Sequence, residues 1–593
     1  MTLPETTFRD LEPEVLDLPT RVDVRLINGA GRLVSLPLNQ RTAGFTASAR
    51  WHDVAAPHGF AHARVVEVSL ISHDERPEGA GIQIAISLDA PARRFMIPGI
   101  FYGGDRVAAG RARYPCFSDH LDARDALTAD HWAFRADRAS HPLVIGWTET
   151  ECVALATDDR SVLGPSGLGF HGNASGAGLL LNFPAREEPV TYVGRDAPAP
   201  PEVVLHHWQA GEIATISFQV FVGGSDPHHY DGLVRRLYAE AQERHSLQPW
   251  MSPDAAAALT AHGLYRWHYQ PDADALTETI AFDAGSHGAD GECSDCAAAA
   301  YALLTYGRAQ ENWACAEAAV AVLDRIAGEA AAGGAEATLF LTRALVFDEA
   351  LGHDHPLWEA AIVSVLTEVA GQCDEDGAGD LLWIPALLAA AAYLEGVDVV
   401  GAAELAGGHY ASLIEDDFTR DLDDDRGAPS SMDAARAVVA YVALFEATGA
   451  PEWLRVAQRA ADWMMTFRFA YNVDFPAHTV LDTYEFRSRG ADVVSPRNQR
   501  LSAQALICLP EMIRLARHTG DDYYLERTRD NLACFLQFIA REDGDFNAGK
   551  GMTSGEFYYT RGLQPVGTIA PVSNARNAGL VLYACQAGLS VEP

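Results

Sequence analysis

The first third of the chain alternates apolar and polar residues. The segments 21–27, 61–71, 81–88 and 213–222 follow this period of two, and clusters of Gly, Pro, Asn and Asp separate them. Successive side chains of a strand point to opposite faces, so each segment has one apolar and one polar face. The pattern predicts antiparallel sheets buried on one face, as in a β-sandwich.

The rest of the chain, from about residue 252, follows the helical period of 3.6. A helical stretch at 230–245 leads into it through Pro249. Apolar residues then recur three and four positions apart, with few strand-like segments between them. The pattern predicts twelve helices, near 254–267, 293–307, 311–329, 336–350, 356–371, 379–395, 400–414, 431–449, 452–467, 499–518, 521–540 and 572–587.

Two kinds of junction join these helices. The turns after even-numbered helices are short, and each carries a glycine where a helix end needs a left-handed residue. Most junctions after odd-numbered helices are long, at 268–292, 415–430, 468–498 and 541–571. The long loops therefore gather on one face of six helical hairpins, which predicts a closed (α/α)6 toroid. An open superhelix of the tetratricopeptide kind is the alternative, but its repeat stays fixed near about 34 residues and leaves these loops unexplained.

The two periods divide the chain into domains. We predict a multidomain β + α protein with a β-sandwich at 1–225, a helical linker at 226–251 and an (α/α)6 catalytic domain at 252–593. Long loops on one face of a rigid scaffold are where binding and catalysis are usually found. The site is therefore expected at the long-loop face, which we call the mouth of the ring.

Charge narrows the choice of partners. The 593 residues include 81 Asp and Glu against 44 Lys and Arg, a formal net charge of −37, and the sole lysine is Lys550. Such a surface repels polyanions, so nucleic acid and an anionic membrane are excluded as main partners. No apolar window is long enough to cross a bilayer.

Cysteine usage indicates the compartment. The nine cysteines are an odd number, and they are scattered through a large chain, several of them within apolar helical segments. That usage is typical of a reducing environment. The first residues show no basic segment followed by an apolar core, so we predict a cytoplasmic protein. The oligomeric state is left open, a homo-oligomer included.

The order of a β-sandwich, a helical linker and six helical hairpins resembles the six-hairpin glycosidase superfamily. The segment Trp453-Leu-Arg-Val-Ala-Gln-Arg-Ala-Ala-Asp-Trp-Met-Met-Thr-Phe-Arg and the run 531–538 are similar to bacterial members of it. The resemblance rests on architecture, and no catalytic signature of one family is matched residue by residue. It implies carbohydrate chemistry in the mouth, commonly hydrolysis with inversion by two carboxylic acids. Lyases and epimerases share the fold.

Glycoside cleavage needs one protonated carboxyl and one ionised carboxylate, so acids on the long loops are the candidates. In the loop 268–292, Glu292 is either a solvated acid at the start of the second helix or a pocket residue beside Trp267 and His268. Cys293 and Cys296 form a lone Cys-x-x-Cys. Without a second pair, this motif predicts no zinc site.

Asp433 is the candidate from the next long loop. The acidic run at 415–430 is expected to be a solvated rim, and its spacing of aspartates is a poor match to a Ca²⁺ loop. Ser430-Ser-Met-Asp433 opens an inner helix. Asp433 is thus either a capping-box residue or a pocket carboxylate, and the sequence leaves both open.

The loop 468–498 is the densest in polar groups. The run 482–489 alternates like a short hairpin strand, and Glu485 lies among arginines, which suits either a structural ion pair or an ionised base or nucleophile. A connection this long is costly to order for structural reasons alone. The candidates on it and directly after it are His478, Asp482, Tyr484, Glu485, Arg487, Arg489, Arg497, Asn498 and Gln499.

The last long loop, 541–571, contains Tyr558. Its ring either stacks on a sugar or packs the loop onto the helices.

These observations favour an exo-acting glycoside hydrolase that cleaves an oligosaccharide or small glycoside. Its predicted catalytic acids are Glu485, Asp433, Glu292 and Asp482, and no metal or other cofactor is predicted. One alternative is an oligosaccharide lyase acting on a uronic-acid sugar, with Tyr484 or His478 as base. A non-catalytic helical scaffold is the other.

Overall fold

The structure is a computed structural model of the chain. It describes residues 9–10, 22–104, 131–173, 176–188, 202–245, 249–282, 293–294, 296–329, 334–373, 379–417, 429–496, 499–559 and 566–591.

Two large antiparallel sheets account for most strands of the first part. The first has the order Arg9–Asp10, Phe45–Asp53, Phe60–Ser72, Ile213–Gly224, Glu151–Ala156, Leu143–Trp147, Arg94–Ile97 and Phe101–Gly104, with Arg41–Thr42 beside Phe45–Asp53. The second has the order His131–Arg135, Gly167–Asn173, Gly176–Phe183, Arg76–Leu88, Val22–Ile27 and Leu33–Ser35, with His206–Trp208 on Arg76–Leu88.

Buried side chains of both sheets form one hydrophobic cluster. Val66 and Leu70 of the first sheet and Ile84 and Leu179 of the second are completely buried within it. The predicted antiparallel sheets are confirmed. The β-sandwich arrangement stays a prediction, which this shared cluster favours.

Short strands complete the described structure. Arg160–Ser161 pairs with Gly164–Pro165, and Arg186–Glu187 with Glu202–Val203. Three small sheets lie beside the helices. The first consists of Tyr269–Gln270, Ala275–Thr277 and Cys293–Ser294, and the second pairs Thr279–Ala281 with Val572–Asn574. The third consists of Asp492–Val493, Leu501–Ser502, Glu556–Tyr558 and Thr568–Ile569.

The described residues form fourteen α-helices. They are α1 (Tyr230–Gln242), α2 (Pro253–Gly263), α3 (Ala297–Ala309), α4 (Trp313–Gly328), α5 (Ala335–Ala350), α6 (Pro356–Gln372), α7 (Trp383–Ala389), α8 (Val399–Asp417), α9 (Ser431–Thr448), α10 (Pro451–Met465), α11 (Val480–Thr483), α12 (Leu509–Thr519), α13 (Asp522–Leu536) and α14 (Ala575–Cys585). Leu264–His268 is a π-helical turn after α2, and the 3₁₀ helices are Ala136–Arg138, Ala503–Cys508 and Asp545–Asn547.

Twelve of the helices form two concentric rings. The inner ring is closed: α14 packs on α3, α3 on α5, α5 on α7, α7 on α9, and α9 and α14 both on the 3₁₀ segment that leads into α12. The outer helices α2, α4, α6, α8, α10 and α13 pack outside it. Gly449 and Gly520 end α9 and α12 in the left-handed region, as the short turns predict. The predicted ring of six hairpins is confirmed.

The first part of the chain packs against the long-loop face. The hydroxyl of Tyr471 donates to the backbone carbonyls of Ala136 and Ala139, and that of Tyr559 donates to the carbonyl of Arg138. The Tyr102 hydroxyl lies 2.9 Å from that of Thr466. The sheets thus border the mouth, although the predicted domain boundaries stay predictions.

Candidate functional site

Charged residues collect at the mouth, where the inner helices begin. Glu336 lies in the first turn of α5, Asp380 directly before α7, Asp433 and Arg436 at the start of α9, and Arg576 at the start of α14. Arg500 directly precedes the short strand Leu501–Ser502, and Glu556 begins the strand Glu556–Tyr558 beside it. We call these seven residues, with Asn577, the mouth cluster.

Glu336 and Arg576 form its best-defined pair. Arg576 Nε and Nη2 donate to Glu336 Oε1 and Oε2 at 2.8 and 2.7 Å, the two-pronged geometry that suits a guanidinium and a carboxylate. Burial alone would raise the pKa of Glu336, but the hydrogen bonds and charge of Arg576, with the charge of Arg436, outweigh it and lower that pKa. Glu336 is therefore an ionised carboxylate.

Glu556 is shifted in the opposite direction. Burial raises its pKa, even though Arg500, a hydrogen bond from Asn577 and the charge of Arg576 act against that shift. Arg500 Nη1 lies 3.0 Å from Glu556 Oε2. Arg576 thus acts on both carboxyls, and the cluster contains one carboxyl whose pKa is lowered and one whose pKa is raised. Opposite shifts of this kind define acid and base roles in an active site.

Asp433 and Arg436 extend the cluster towards α7. Ser430 caps α9 by accepting hydrogen bonds from the amides of Met432 and Asp433, which is the N-cap half of the predicted capping box. The Asp433 residue is 7% exposed. Arg436 lies 3.7 Å from Asp380. Both predictions for Asp433, the capping-box residue and the pocket carboxylate, therefore stay open.

The prediction of a short strand at 482–489 is wrong. Val480–Thr483 is the short helix α11, capped by the hydroxyl of Thr479, and Asp482 accepts a hydrogen bond from the His478 amide. His478 and Glu485 adopt left-handed backbone angles, φ 66° and 54°, on either side of this turn. The alternation of apolar and polar residues over eight positions indicated a strand, and it did not reveal that Thr479 caps a short helix here.

The candidate site residues of this loop are partly exposed to solvent and partly packed in the core. His478, Asp482 and Glu485 are exposed. The Tyr484 hydroxyl accepts a hydrogen bond from the Phe546 amide, and its ring packs on Phe546. None of the described contacts joins these residues to the mouth cluster.

The two described arginines of the loop that were predicted to bind substrate are held by protein groups. Arg489 is 7% exposed, and its Nε and Nη2 donate to Asp530 at 2.9 and 3.1 Å. The backbone of Arg487 is bonded through both its amide and its carbonyl to the side chain of Gln537. The pairing of Arg489 argues against its predicted contact with substrate.

Trp267 and His268 end the π-helical turn after α2. The Trp267 indole donates to the Lys550 carbonyl at 3.0 Å. His268 is 1% exposed, and its Nδ1 and Nε2 lie 2.7 and 2.8 Å from the Thr277 carbonyl and the Ser573 hydroxyl. Both ring nitrogens of His268 are thus used within the protein, which argues against the predicted substrate contact.

This buried imidazole predicts a pH dependence of stability. Burial lowers the pKa of His268 to about 4, against about 6.5 in an unfolded chain. The unfolded state therefore binds more protons between these values, and stability present above pH 6.5 is lost as the pH falls towards 4. We expect this residue to account for a loss of about 3 kcal/mol across that interval, from 1.36 kcal/mol per pKa unit. Unfolding of the His268→Gln variant, followed in denaturant at several pH values, should lack this part of the slope. The exposed His478→Gln variant should retain it, and equal slopes in all three proteins would contradict the prediction.

The remaining predicted residues lie nearer the mouth or outside the described part. Gln499 Oε1 accepts hydrogen bonds from Arg138 Nε and Nη2 at 3.0 and 2.6 Å. Tyr558 is half-buried and hydrogen bonds to Arg500 of the mouth cluster. Glu292, Arg497 and Asn498 lie outside the described residues.

Sequence reasoning predicted the face but missed most of the cluster. Glu336, Asp380, Arg436 and Arg576 were not candidates because each lies within or directly before a helix rather than in a conspicuous loop. Their position at the start of an inner helix was the available signal. Among the described residues, no helix is long and apolar enough to cross a membrane, and no three His, Cys, Asp or Glu side chains are grouped as a metal ion needs.

Neither a scan of protein-family models nor a search of curated proteins returns a match for this chain. Solved structures are similar to it in fold. One is a polysaccharide lyase, with a TM-score of 0.48, 9% identity and coverage of 95% of this chain and 92% of that chain.

Another is an unsaturated glucuronyl hydrolase from Bacillus sp. GL1, described as responsible for the degradation of glycosaminoglycan. Its TM-score is 0.38 at 12% identity, over 56% of this chain and 94% of that chain. A D-mannose isomerase matches with a TM-score of 0.39 at 10% identity, over 56% and 97%. We transfer no residue role from them.

Proposed function

We propose that the protein is a glycoside hydrolase and that the mouth cluster is its active site. The observation that supports this most is the pair of carboxyls with opposite pKa shifts, Glu556 raised and Glu336 lowered, both under the influence of Arg576. Hydrolysis of a glycosidic bond needs one carboxyl of each kind. The helical ring is the catalytic domain in this proposal, with a β-sandwich at the N-terminus.

Glu556 is the general acid in this scheme and protonates the leaving oxygen. Glu336, held ionised by Arg576, activates the attacking water or attacks the sugar itself. Asp433 is the next candidate carboxylate, and Asn577, Arg436 and Arg500 supply donors for sugar hydroxyls. The exo mode, inferred from a mouth surrounded by long loops, is part of the same proposal.

An oligosaccharide lyase is the second candidate, and one observation favours it. Tyr558 hydrogen bonds to Arg500, which pairs a potential base with a cation that could neutralise a uronate. However, burial raises the pKa of Tyr558 and disfavours the tyrosinate that such a base needs. Hydrolysis is therefore the better-supported reaction.

A substrate panel tests the proposal. The purified protein would be incubated with neutral and uronate-containing disaccharides and oligosaccharides, followed by assays for new reducing ends and for near-ultraviolet absorbance. We expect new reducing ends without absorbance, and single sugars released from one end of the chain. Absorbance from a new C=C bond would replace the proposal by the lyase. No cleavage in the whole panel, combined with no binding of any sugar, would favour the non-catalytic scaffold.

A further inference from the structure

A cavity opens at the end of the helical ring opposite the mouth. Its volume is about 770 Å³, and its walls come from the last turns of α3, α5 and α14, the end of α7 and the first turns of α12. Sites for small ligands occupy about 300–1,000 Å³. The mouth cluster contributes no residue to it, because that cluster lies at the amino ends of the same inner helices.

The walls of the cavity are mainly apolar. The rings of Tyr301, Phe347 and Tyr583 form one group, with Tyr301 5.9 Å from Tyr583 and 6.5 Å from Phe347 between ring centroids. Val346 also lines the cavity, and the residue is 44% exposed. A flat, apolar body the size of a ring fits such walls.

Two guanidiniums converge on one carboxylate in this cavity. Arg343 Nη2 and Arg514 Nη2 both donate to Glu511 Oε1, at 2.8 and 2.9 Å. Arg343 Nη1 also donates to the Tyr583 hydroxyl at 2.7 Å. On its other side, Arg514 lies 3.4 Å from Glu446. The arrangement fixes the position of Arg343, whose side chain is 17% exposed.

The hydrogen-bond donors of the cavity favour a carboxylate. Its lining contains two guanidiniums and one carboxylate, and Glu446 pairs with Arg514 from outside the lining. Each guanidinium carries five N–H donors, and the three hydrogen bonds just described use only three of the ten. A ligand cation would meet two like charges. The carboxyl ends of α3, α5, α7 and α14 reach the cavity and repel anions mainly within the last turn of each helix, whereas Arg343 lies seven residues, about 10 Å, before the end of α5.

We propose that this cavity is a second ligand site, which binds a monocarboxylate attached to a flat, largely apolar ring. The carboxylate contacts Arg343 and Arg514, and the ring lies between the aromatic walls and Val346. Aromatic acids have this chemistry, whereas sugar acids share only the carboxylate. The site is separate from the proposed glycosidase centre: Glu336 and Arg576 lie seven residues before Arg343 and Tyr583 on the same two helices.

Calorimetric titration with benzoate and with D-glucuronate tests the proposal, with benzyl alcohol and glucose as their neutral counterparts. We expect saturable binding of benzoate and no binding of benzyl alcohol, with D-glucuronate, which lacks the flat apolar ring, bound more weakly than benzoate. Arg514→Gln should weaken binding about tenfold, the effect of losing one hydrogen bond to a charged group. Arg517→Gln is the matched control on the same helix: Arg517 is exposed and does not line the cavity, so binding should be unchanged.

Val346→Trp fills the cavity and should abolish binding, with Ala350→Trp as the substitute if the first variant does not fold. Loss of benzoate binding in the filled variant supports the assignment of the acid to this cavity. Binding that survives filling and is lost instead in Arg576→Gln would place the acid at the mouth and overturn the proposal. Absence of saturable benzoate binding, or tighter binding of D-glucuronate than of benzoate, would also overturn it.

Discussion

The Glu556→Gln variant is expected to lose about 10²–10⁴-fold in turnover of the glycoside that the protein cleaves, the usual contribution of a general acid. The amide keeps the shape of the side chain and its contacts with Arg500 and Asn577 but has no proton to donate. Burial raises the pKa of Glu556, so the wild-type carboxyl stays protonated to higher pH than an exposed glutamate would. A substrate whose leaving group needs no protonation, such as a nitrophenyl glycoside, should lose much less. Initial rates on the two substrates measure the difference.

Two further variants make this result decisive. Glu542→Gln changes an exposed glutamate of the same 541–571 segment and should leave the rate unchanged. Glu485→Gln tests one of the carboxylates that the sequence analysis predicted to be catalytic. Full activity of Glu556→Gln together with loss in Glu485→Gln would refute the assignment to the mouth cluster and restore the sequence-based one.

The Asp492→Asn variant is expected to lose about 3–5 kcal/mol of unfolding free energy, because it leaves the buried Arg468 without its counter-charge. Both residues of this pair are 1% exposed. Arg468 Nε and Nη2 donate to the two oxygens of Asp492 at 2.9 and 3.0 Å, and Asn531 Nδ2 donates to Oδ2 at 2.7 Å. The pair joins the two ends of the 468–498 loop, and Asn531 connects it to α13, so its loss should loosen the base of that loop. Denaturant unfolding measures the change.

An exposed ion pair of the same segment serves as the control. Asp474 lies 3.2 Å from Arg160, with the two side chains 74% and 56% exposed. Asp474→Asn should change stability by less than about 1 kcal/mol, as exposed pairs usually do. Equal effects of the two substitutions would show that burial does not determine the value of the Arg468–Asp492 pair.

The fold could be predicted largely because its signals are local. Alternation in the first part and the helical period in the second are repeated many times, and glycines such as Gly449 and Gly520 mark the short turns. The helix predicted at 499–518 begins later than expected, because Leu501–Ser502 pairs with Glu556–Tyr558 as a strand. That contact joins residues more than 50 positions apart, and no local pattern reveals it.

The site was harder to predict because ion pairs assemble it across the ring. Glu336 and Arg576 are 240 residues apart in the sequence, and each looks like an ordinary first-turn residue of an amphipathic helix. The loop 468–498 attracted attention through its composition instead. Some of its charged side chains are paired inside the protein, as Arg489 is with Asp530 of α13. The composition of the loop could not show that this partner lies on a distant helix.

The most direct test of the proposed function is the origin of the oxygen in the product. The substrate found in the panel would be cleaved in water labelled with heavy oxygen, and the product sugars analysed by mass spectrometry. Hydrolysis at the mouth cluster predicts one labelled oxygen at the new anomeric carbon for each bond broken, with the rate of labelling lost in Glu336→Gln. An unlabelled product that absorbs in the near ultraviolet, or full labelling in Glu336→Gln, would contradict it.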